Sequence, residues 1–484
     1  MTLLELSETH PIWKHFDNIC KVPRPSGKEE KIIEFLINFA KEHKLAYSLD
    51  DIGNLLIKKP ASNGKENVPT VILQSHVDMV CEKNLDIKHN FDSDPILPIV
   101  DGNWIKAGGT TLGADDGIGV ASQMAILEAS DLEHGPLECL FTIDEESGMT
   151  GAKGLNEGFL EGKILLNLDS EDEGELYIGC AGGLDTVATF QYLMEKTPET
   201  SLAFKIYVEG LKGGHSGDEI NKGIGNSIKI LNRYLYSANS KFQLKLHNFN
   251  GGNLRNAIPR ESQAIFVIDR KYEDFLIQFT NQYSKTVTDE LSVKDPNFNL
   301  RIERTTLPEF VLQKETQLKL IASIYACPHG AFAMSSEIPG LVETSTNLAS
   351  LKFISANQIE VVTSQRSSRE SSKEDIAQMV ASVFNLAGAK VEHSVGYPGW
   401  VPNNNSEILR ITSAAYKDLF QVEPEVKAIH AGLECGLFLE KYPDWDMISI
   451  GPTIRGAHSP DEKLDIESTY KFWKLLVRVL EGIS

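Results

Sequence analysis

The stretch TVILQSHVDMV at residues 70–80 decides the fold. Its first six residues form a short run of strand length around the apolar residues Val71, Ile72 and Leu73, which is typical of a strand buried on both faces of a mostly parallel sheet. The run ends at His76 and Asp78, two polar residues at the point where the strand stops. Runs of the same kind recur along the chain as LECLFTI (137–143), ILLNL (164–168) and MISI (447–450).

Helical segments lie between or after these strands and complete an α/β pattern. In GKEEKIIEFLINFAKEH (27–43) the apolar residues fall on one helical stripe. Further helices are predicted near 117–130, 406–420 and 467–482. The alternation of strands and helices indicates a mostly parallel sheet flanked by helices.

The pattern changes between residues 186 and 395, where we expect a second, α+β domain inserted into the first. Its elements follow in the order β-α-β-β-α-β, which is the split pattern of a ferredoxin-like unit. They are predicted at 202–210, 223–239, 241–249, 262–270, 272–290 and 297–304. A looser version follows at 314–395, and a duplication is one interpretation of it. The sequence thus predicts a catalytic domain at 1–185 and 396–484, with an inserted lid or dimerisation domain at 186–395.

Seven residues of types that can bind metals or transfer protons occur at or between the ends of these strands. In open α/β sheets, ligands bind outside the carboxyl ends of the strands. So many carboxylates cannot share a small cleft without a cation to neutralise them, and the sequence therefore predicts a metal site at this edge. The seven residues are, in chain order, His76, Asp78, Asp115, Glu145, Glu146, Asp169 and His458.

Two imidazoles and three carboxylates suit zinc, or another divalent metal such as cobalt or manganese. If one carboxylate bridges, five ligands serve two metal ions and leave open positions for water. Asp78 is close enough to His76 in sequence to orient its imidazole. Glu145 precedes the candidate ligand Glu146 and is placed to take a proton from water.

Each of these residues alone has a plainer interpretation. A histidine at a strand end is more often a hydrogen-bonded core or loop residue, and two adjacent glutamates are usually a solvated surface pair. The Asp-Asp-Gly of GADDG (113–117) is most often a turn, and His458 lies in a loop beside a proline. The positions of these residues at successive strand ends favour a common site over coincidence.

Five motifs, in this order along the chain, resemble those of the zinc aminopeptidase, carboxypeptidase and aminoacylase superfamily, which has a di-metal centre. They are HVDMV (76–80), GADDG (113–117), FTIDEESG (141–148), NLDSE (167–171) and GAHSP (456–460). Three further stretches resemble the aminoacyl-histidine (cytosolic non-specific) dipeptidase branch of that superfamily. They are HPIWKHFDNICKVPRPSGKEE (10–30), GGHSGDEINKGIGN (213–226) and LRNAIPRE (254–261).

The resemblance implies individual roles for the seven residues. His76 and Asp169 would bind one zinc ion, Glu146 and His458 the other, and Asp115 both. Asp78 would orient His76. Glu145 would activate a water that bridges the metals and then donate a proton to the leaving amine.

The resemblance also implies substrate-binding residues outside the cluster. His215 would help to bind the substrate carbonyl oxygen as it becomes an oxyanion. Asn256 would face the cleft, and Arg369 would bind the terminal carboxylate, with Arg366 an open alternative. Glu434, in HAGLECG, would either reach the cleft or have a structural role. A homodimer is implied, with His215 acting in its own chain or across the dimer.

A domain that carries a histidine needed at the metals implies an open and a closed arrangement. Gly182-Gly183 and Tyr397-Pro398-Gly399 are the predicted hinges.

The predicted reaction is metal-dependent hydrolysis of dipeptides with free termini, including Xaa-His dipeptides such as β-alanyl-histidine. One alternative is deacylation of N-acyl amino acids, because the same type of centre serves several amidohydrolases. Another is a non-catalytic binding protein, which the loss of a ligand or of the base would favour. The sequence retains all of these residues.

The composition is that of an ordinary globular protein and restricts its partners. Of the 484 residues, 41% are hydrophobic and 24% are charged, and the net charge of −21 disfavours nucleic acid and anionic membrane surfaces. The first residues, MTLLELSETHPIWKHF, lack the basic end and apolar run of a secretory segment. No apolar stretch has the about 18 to 20 residues needed to span a bilayer. The six cysteines are scattered, without a CxxC pair. We therefore expect a cytoplasmic enzyme that acts on small peptides.

Overall fold

The four apolar runs are strands in the computed structural model, which describes residues 3–355 and 357–484. They are Val71–His76, Leu137–Thr142, Ile164–Asn167 and Asp446–Ser449. Every residue of the first two is buried, as expected of strands covered on both faces. All four pair in parallel with their neighbours in this group. The parallel core of the predicted sheet is confirmed.

The complete sheet has eight strands, and its outer strands differ from the prediction. The strand Leu55–Lys59 pairs antiparallel with Ala46–Leu49, because Asp50 caps a tight turn by accepting hydrogen bonds from the backbone amides that follow it. The sheet is therefore mixed, with antiparallel strands outside the parallel core. The strand order is Ala46–Leu49, Leu55–Lys59, Leu137–Thr142, Val71–His76, Ile164–Asn167, Asp446–Ser449, Glu175–Cys180 and Glu425–Ile429.

Amphipathic helices accompany this sheet. The predicted stripe of the helix Glu30–Glu42 buries Ile32, Leu36, Phe39 and Ala40. The helix Ala114–Glu128 is buried along most of its length. The other helices of this part are Leu3–Thr9, Pro11–Cys20, Glu145–Gly148, Thr150–Gly154, Glu407–Phe420, Glu434–Lys441 and Ile466–Gly482. A small sheet contains the strands Ile454–Arg455, Lys463–Asp465, Trp104–Ala107 and Pro98–Asp101.

The chain divides into two compact units. The first contains the residues up to Gly179 together with Pro402–Ala428 and Leu433–Ser484. The second contains Cys180–Val401 and the short piece Ile429–Gly432. The second unit is thus built mainly from one segment inserted into the first, and its role as a lid or dimerisation domain stays a prediction.

The second unit contains a nine-stranded sheet in which the same strand order occurs twice. In residues 201–304 the four strands pair antiparallel in the order fourth, first, third, second, which is the order of a ferredoxin-like unit. These strands are Asn299–Arg304, Ser201–Glu209, Ser262–Asp269 and Lys245–Gly251, and their helices are Ser227–Phe242 and Glu273–Leu291. The predicted β-α-β-β-α-β unit is confirmed.

The second copy of this order begins before the first copy. Its strands are Lys390–His393, Gly182–Gln191, Gln358–Ser367 and Val342–Ser355, again in the order fourth, first, third, second. Its helices are Lys314–Ala326 and Glu370–Leu386, and the strand Gly330–Met334 pairs at the side of Val342–Ser355. The first ferredoxin-like unit is therefore inserted after the first strand of the second.

The remaining elements of the second unit are short. Met194–Lys196 pairs with Phe310–Leu312, Gly214–His215 pairs with Ala257–Ile258, and Arg270–Tyr272 is a 3₁₀ turn. One apolar core, which includes Phe204, Phe266 and Phe384, extends through both ferredoxin-like halves. None of the helices within residues 3–355 and 357–484 is long and apolar enough to cross a membrane.

Candidate metal centre and active site

The carboxyl ends of the four central strands lie at one edge of the first unit's sheet. His76 pairs with Thr142, the last residue of its strand, while Asn167 pairs with both Gln74 and Ser449. Because the strands end at nearly the same level, the loops that follow them start side by side.

The structure brings the five predicted metal ligands together in two groups that share Asp115. In one group, His76 Nε2 lies 3.0 Å from Asp115 Oδ1 and 3.4 Å from Asp169 Oδ1. In the other, His458 Nε2 lies 3.1 Å from Asp115 Oδ2 and 2.9 Å from Glu146 Oε2. The ligand atoms within each group all lie within 4.8 Å of one another. Each oxygen of Asp115 thus faces a different group, as expected of a carboxylate that two cations share.

Two of the loops turn sharply as they enter this site. Asp144, immediately before Glu145, has φ 51°, and His458 has φ 62°. Residues other than glycine seldom adopt this region, and backbone strain of this kind is concentrated at functional sites. The strain is therefore located at two of the chain segments that carry candidate ligands.

Asp78 links His76 to the loop that carries the two glutamates. Its carboxylate accepts hydrogen bonds from the backbone amides of Glu145 (3.0 Å) and Glu146 (3.2 Å) and from the hydroxyl of Ser26 (2.8 Å). Asp78 Oδ1 also lies 3.3 Å from His76 Nδ1, a long contact. Burial alone would raise the pKa of Asp78, but these partners, His76 foremost, lower it to about 2. Asp78 is therefore an ionised carboxylate that fixes neighbouring groups.

Glu145 lies beside the ligand groups, with a carboxylate oxygen within 4.8 Å of the ligand atoms of His76 and Glu146. Burial, reinforced by the charges of Asp169, Glu146 and Glu434, raises the pKa of the Glu145 carboxyl well above its ordinary value. A raised pKa is the direction expected of a carboxyl that takes up and releases a proton near neutral pH.

The residues of the two groups fit a pair of divalent cations. Burial raises the pKa of Asp169 to about 7, with a further contribution from the neighbouring carboxylates. Hydrogen bonds to Asp115 and Glu146 raise the pKa of His458 to about 11. Glu146 Oε1 is buried and has no hydrogen-bond donor among the residues that the structure describes. The pKa shift of His458 and the carboxylates around Asp169 indicate a negative potential, which cations held by imidazole and carboxylate ligands would neutralise.

Two further carboxyls beside the site were not predicted. Burial and the charges of Asp115 and Asp169 raise the pKa of Glu171 to about 8. Asp116 is joined to Asp115 by a cis peptide bond and is buried, with Oδ1 accepting a hydrogen bond from the Gly119 amide at 3.1 Å. Glu171 follows Asp169 by two residues, just as Asp78 follows His76, and this repeated spacing is the signal that would have identified it.

Glu434 is buried next to the same strands rather than on an open surface. Its Oε2 accepts hydrogen bonds from Gln74 Nε2 (2.6 Å) and Thr142 Oγ1 (2.8 Å). Burial raises the pKa of Glu434 to about 8. Glu434 therefore packs beneath the end of the His76 strand, and a role in substrate binding stays a prediction.

In the second unit, the segments of His215 and Asn256 lie together. The strand Gly214–His215 pairs with Ala257–Ile258, and the backbone carbonyl of Asn256 accepts a hydrogen bond from the Ser216 amide at 2.8 Å. His215 Nδ1 lies 3.2 Å from Asp218 Oδ2. Asn347 supports this arrangement by donating to the Ala257 carbonyl at 2.8 Å.

The two arginines considered for the terminal carboxylate have different surroundings. Arg369 is half-exposed and forms ion pairs with Glu343 (3.1 Å) and Glu337 (2.8 Å). Arg366 is buried and donates to the hydroxyl of Tyr397 at 3.0 Å, while its Nε has no acceptor within the part of the chain that the structure describes. Of these two arginines, Arg366 thus retains a buried donor group that has no acceptor among the described residues.

Arg366 belongs to a cluster that also contains His215, Asp218 and His430. Neither Asp218 nor His430 was predicted as a site residue. The bonds of His215, followed by the charges of Arg366 and His430, lower the pKa of Asp218. Burial, assisted by the charge of Arg366, lowers the pKa of His430 to about 3, and its Nε2 lies 2.7 Å from Ser345 Oγ. Ser345 pairs directly with Arg366 across two strands, so both side chains lie on one face of the sheet.

The predicted hinge segments lie side by side. Gly183 and Tyr397 exchange backbone hydrogen bonds of 3.0 and 2.9 Å. A Cβ atom on Gly182 would lie 2.6 Å from the backbone of Pro398 and Gly399, so this close approach requires glycine. Movement about these segments stays a prediction.

The fold and the site together define a class: an α/β enzyme with a candidate dinuclear metal centre at the carboxyl edge of its sheet. The chain belongs to peptidase family M20/M25/M40, whose sequence model matches residues 72–482. The resemblance inferred from the motifs is therefore confirmed.

Several known proteins are similar to this chain over essentially its whole length. It is 44% identical over 483 residues to the cytosol non-specific dipeptidase of Escherichia coli (strain K12), a match covering 100% of this chain and 99% of that protein. The crystal structure of aminoacylhistidine dipeptidase from Vibrio alginolyticus is 44% identical, with a TM-score of 0.89 and coverage of 98% and 96% of the two chains. The structure of aminopeptidase PepT from Bacillus cereus, at 16% identity, a TM-score of 0.58 and 98% coverage of both chains, shares the fold.

Proposed function

We propose that this protein is a metal-dependent dipeptidase that hydrolyses dipeptides with free termini, including those with a C-terminal histidine. The observation that carries the proposal is the pair of ligand groups sharing Asp115, each with three ligand atoms within 4.8 Å. Family membership supports hydrolysis of a peptide bond. The names of the two relatives at 44% identity support dipeptides in general and aminoacyl-histidines in particular.

The proposed ligands are His76 and Asp169 for one zinc ion and Glu146 and His458 for the other, with Asp115 shared. Cobalt or manganese would suit the same oxygen and nitrogen ligands. When bound, such a pair of ions supplies Lewis acidity and lowers the pKa of water.

The remaining residues of the site orient groups and move protons. Glu145 accepts a proton from the attacking water and then donates it to the leaving amine nitrogen, which its raised pKa favours. Asp78 holds the imidazole of His76 and the amide of Glu145, and so keeps a ligand and the base in a fixed relation. His215 contributes a donor to the substrate oxygen that becomes negatively charged.

A dipeptidase must also measure the distance from the scissile bond to the end of the substrate. We assign this task to Arg366, because a buried guanidinium with an unpaired Nε can form a two-point contact with a carboxylate. Arg369 is less suitable, because Glu337 and Glu343 already occupy its guanidinium. Asn256 and Glu434 are retained as candidate substrate-binding residues.

The protein is proposed to act in the cytoplasm as a homodimer on small peptides, without nucleic acid or membrane partners. The name of the E. coli relative supports the location. Mixing His215→Ala chains with Glu145→Ala chains tests whether the subunits share a site. Recovery of activity in verified heterodimers indicates a shared site, and no recovery indicates that each chain is complete.

The test of the function is metal analysis followed by a substrate panel, with and without chelator. The panel compares β-alanyl-histidine, other free dipeptides, tripeptides and N-acetylated amino acids. We expect two divalent ions per chain and hydrolysis of the free dipeptides alone. Preferential cleavage of the N-acetylated amino acids would instead indicate a deacylase, and binding without cleavage would indicate a non-catalytic protein.

A further inference from the structure

The turn that carries Asp115 is held on its amide side by a buried carboxylate. Glu462 Oε2 accepts hydrogen bonds from the backbone amides of Leu112 (2.7 Å) and Gly113 (2.9 Å). Glu462 Oε1 accepts from those of Ala114 (2.7 Å) and Asp115 (3.3 Å). Four consecutive amides thus converge on one carboxylate, and Glu462 lies only four residues after His458.

The same turn is held on its carbonyl side by a buried guanidinium. Arg24 Nη2 donates to the carbonyl of Gly113. Arg24 Nη1 donates to the carbonyls of Val77 (3.0 Å) and Asp78 (2.7 Å), immediately after His76. Arg24 therefore links the turn of Asp115 to the loop that follows the first candidate ligand.

The two glycines of GADDG are explained by this guanidinium. A Cβ atom on Gly113 would lie 2.5 Å from Arg24 Nη2, and one on Gly117 would lie 2.6 Å from the same atom. Gly113 also has φ 71°, a conformation that other residues seldom adopt. The motif thus has a packing requirement that is separate from the chemistry of its aspartates.

Both charged groups are buried, and in the described part of the chain these two side chains form hydrogen bonds with backbone groups. Four amide donors need the two oxygens of a carboxylate, since the amide of Gln offers only one. Arg24 reaches its three carbonyls from two nitrogens, and the single nitrogen of a Lys cannot occupy both positions. The charged groups therefore match the number and positions of their partners.

We propose that Arg24 and Glu462 are positioning residues that fix Asp115 between the loop of His76 and the loop of His458, and so set the affinity for both metal ions. The inference rests on the proposed metal site. Asp115 serves both groups, so displacement of its turn weakens both at once. We expect each residue to contribute about 10- to 100-fold to metal affinity, as outer residues that orient ligands do.

The experiment measures zinc bound per chain and its dissociation constant, by competition with a fluorescent zinc chelator. Glu462→Gln is compared with wild type and with Glu138→Gln. Glu138 is a matched control because it is also buried and accepts two backbone amides at 2.9 Å, but lies at the opposite end of its strand from the site. Arg24→Lys is compared with Lys59→Arg, which changes another cation that donates to backbone carbonyls.

We expect zinc affinity to fall about 10- to 100-fold in Glu462→Gln and Arg24→Lys and to stay at the wild-type value in the two controls. Unchanged affinity in Glu462→Gln, or an equal loss in Glu138→Gln, would overturn the inference. If Glu462→Gln does not fold, Glu462→Asp is measured in its place, since a shorter carboxylate cannot reach all four amides. Wild-type protein that binds no zinc would refute the proposed function instead, so the two failures are distinguishable.

Discussion

Replacing Asp78 by Asn should weaken the metal site without removing any ligand. The carboxylate serves two backbone amides, at 3.0 and 3.2 Å, and the Ser26 hydroxyl, at 2.8 Å. Asn has one acceptor oxygen, and with that oxygen facing the Glu145 amide its NH₂ group faces the amide of Glu146. A buried amide without an acceptor costs about 1–3 kcal/mol. If this cost is relieved only when the loop moves away from its metal-binding position, the zinc dissociation constant rises by about 5- to 150-fold, at about 1.4 kcal/mol per tenfold.

The assay is zinc affinity together with kcat and KM for a free dipeptide at saturating zinc. We expect zinc affinity in Asp78→Asn to fall by about 10- to 100-fold and kcat to fall with it, because the backbone amide of the candidate ligand Glu146 loses its acceptor and the loop that carries Glu145 and Glu146 is displaced. The control is Ser26→Ala, which removes a single contact and should change either quantity by less than about tenfold. Wild-type affinity and turnover in Asp78→Asn would show that the carboxylate does not organise the site.

Three other changes have distinct expected results. Glu145→Gln should retain both metal ions and lose about 10²- to 10⁴-fold in kcat, and near-normal turnover at neutral pH would mean that another group is the base. Arg366→Lys should lower kcat/KM for a free dipeptide by a factor equivalent to about 1.5–3 kcal/mol, and much less for the dipeptide amide, which lacks the carboxylate. Arg369→Lys should leave kcat/KM for both substrates unchanged. Equal losses on the dipeptide and on its amide in Arg366→Lys would contradict the assignment of Arg366. Burial lowers the pKa of His329 from 6.5 to about 4, so the folded state binds this proton less readily than the unfolded state. The contribution of His329 to the free energy of unfolding is therefore full above pH 6.5 and about 2 kcal/mol smaller at pH 5. In unfolding experiments at pH 7 and pH 5, His329→Asn should lose less stability than wild type by about this amount, and an equal loss in both would contradict the expectation.

The sequence predicts the residues of the centre well, because their positions depend on local pattern. A continuous apolar run that stops at His76 or shortly before Asp169 locates a strand end, and parallel strands place such ends at one edge. Asp115 opens a helix and His458 lies in a loop, so the apolar runs do not locate them. The strand ends thus indicated where the cluster lies, whereas the sharing of Asp115 came from the family resemblance.

Residues whose environment depends on long-range packing were missed or left open. Glu462 looks like a charged loop residue in SPDEK, and only the fold shows that four amides 350 to 347 positions away converge on it. The choice between Arg366 and Arg369 likewise depends on which carboxylates lie nearby, and these belong to other strands and loops. Sequence spacing contains no information on such contacts.

Topology set a similar limit in the second unit. The second ferredoxin-like unit was predicted only from its helix at 314 onward, because its first strand, Gly182–Gln191, precedes the whole of the first unit.

The sheet of the first unit shows a related limit. Two of its outer strands pair antiparallel through a hairpin, and a buried apolar run does not indicate the direction of its neighbour. The four central strands of the first sheet were thus predictable, whereas its outer strands and their direction were not.

The most direct test of the central claim is the rate of β-alanyl-histidine hydrolysis while zinc is titrated into chelator-treated protein. With two ions sharing Asp115, we expect no activity without metal and a rise in rate that saturates at two zinc ions per chain. Asp115→Ala should bind fewer than two zinc ions per chain and should not reach the wild-type rate. Full activity in protein shown to contain no metal would contradict the account, as would Asp115→Ala that binds two ions and hydrolyses the dipeptide at the wild-type rate.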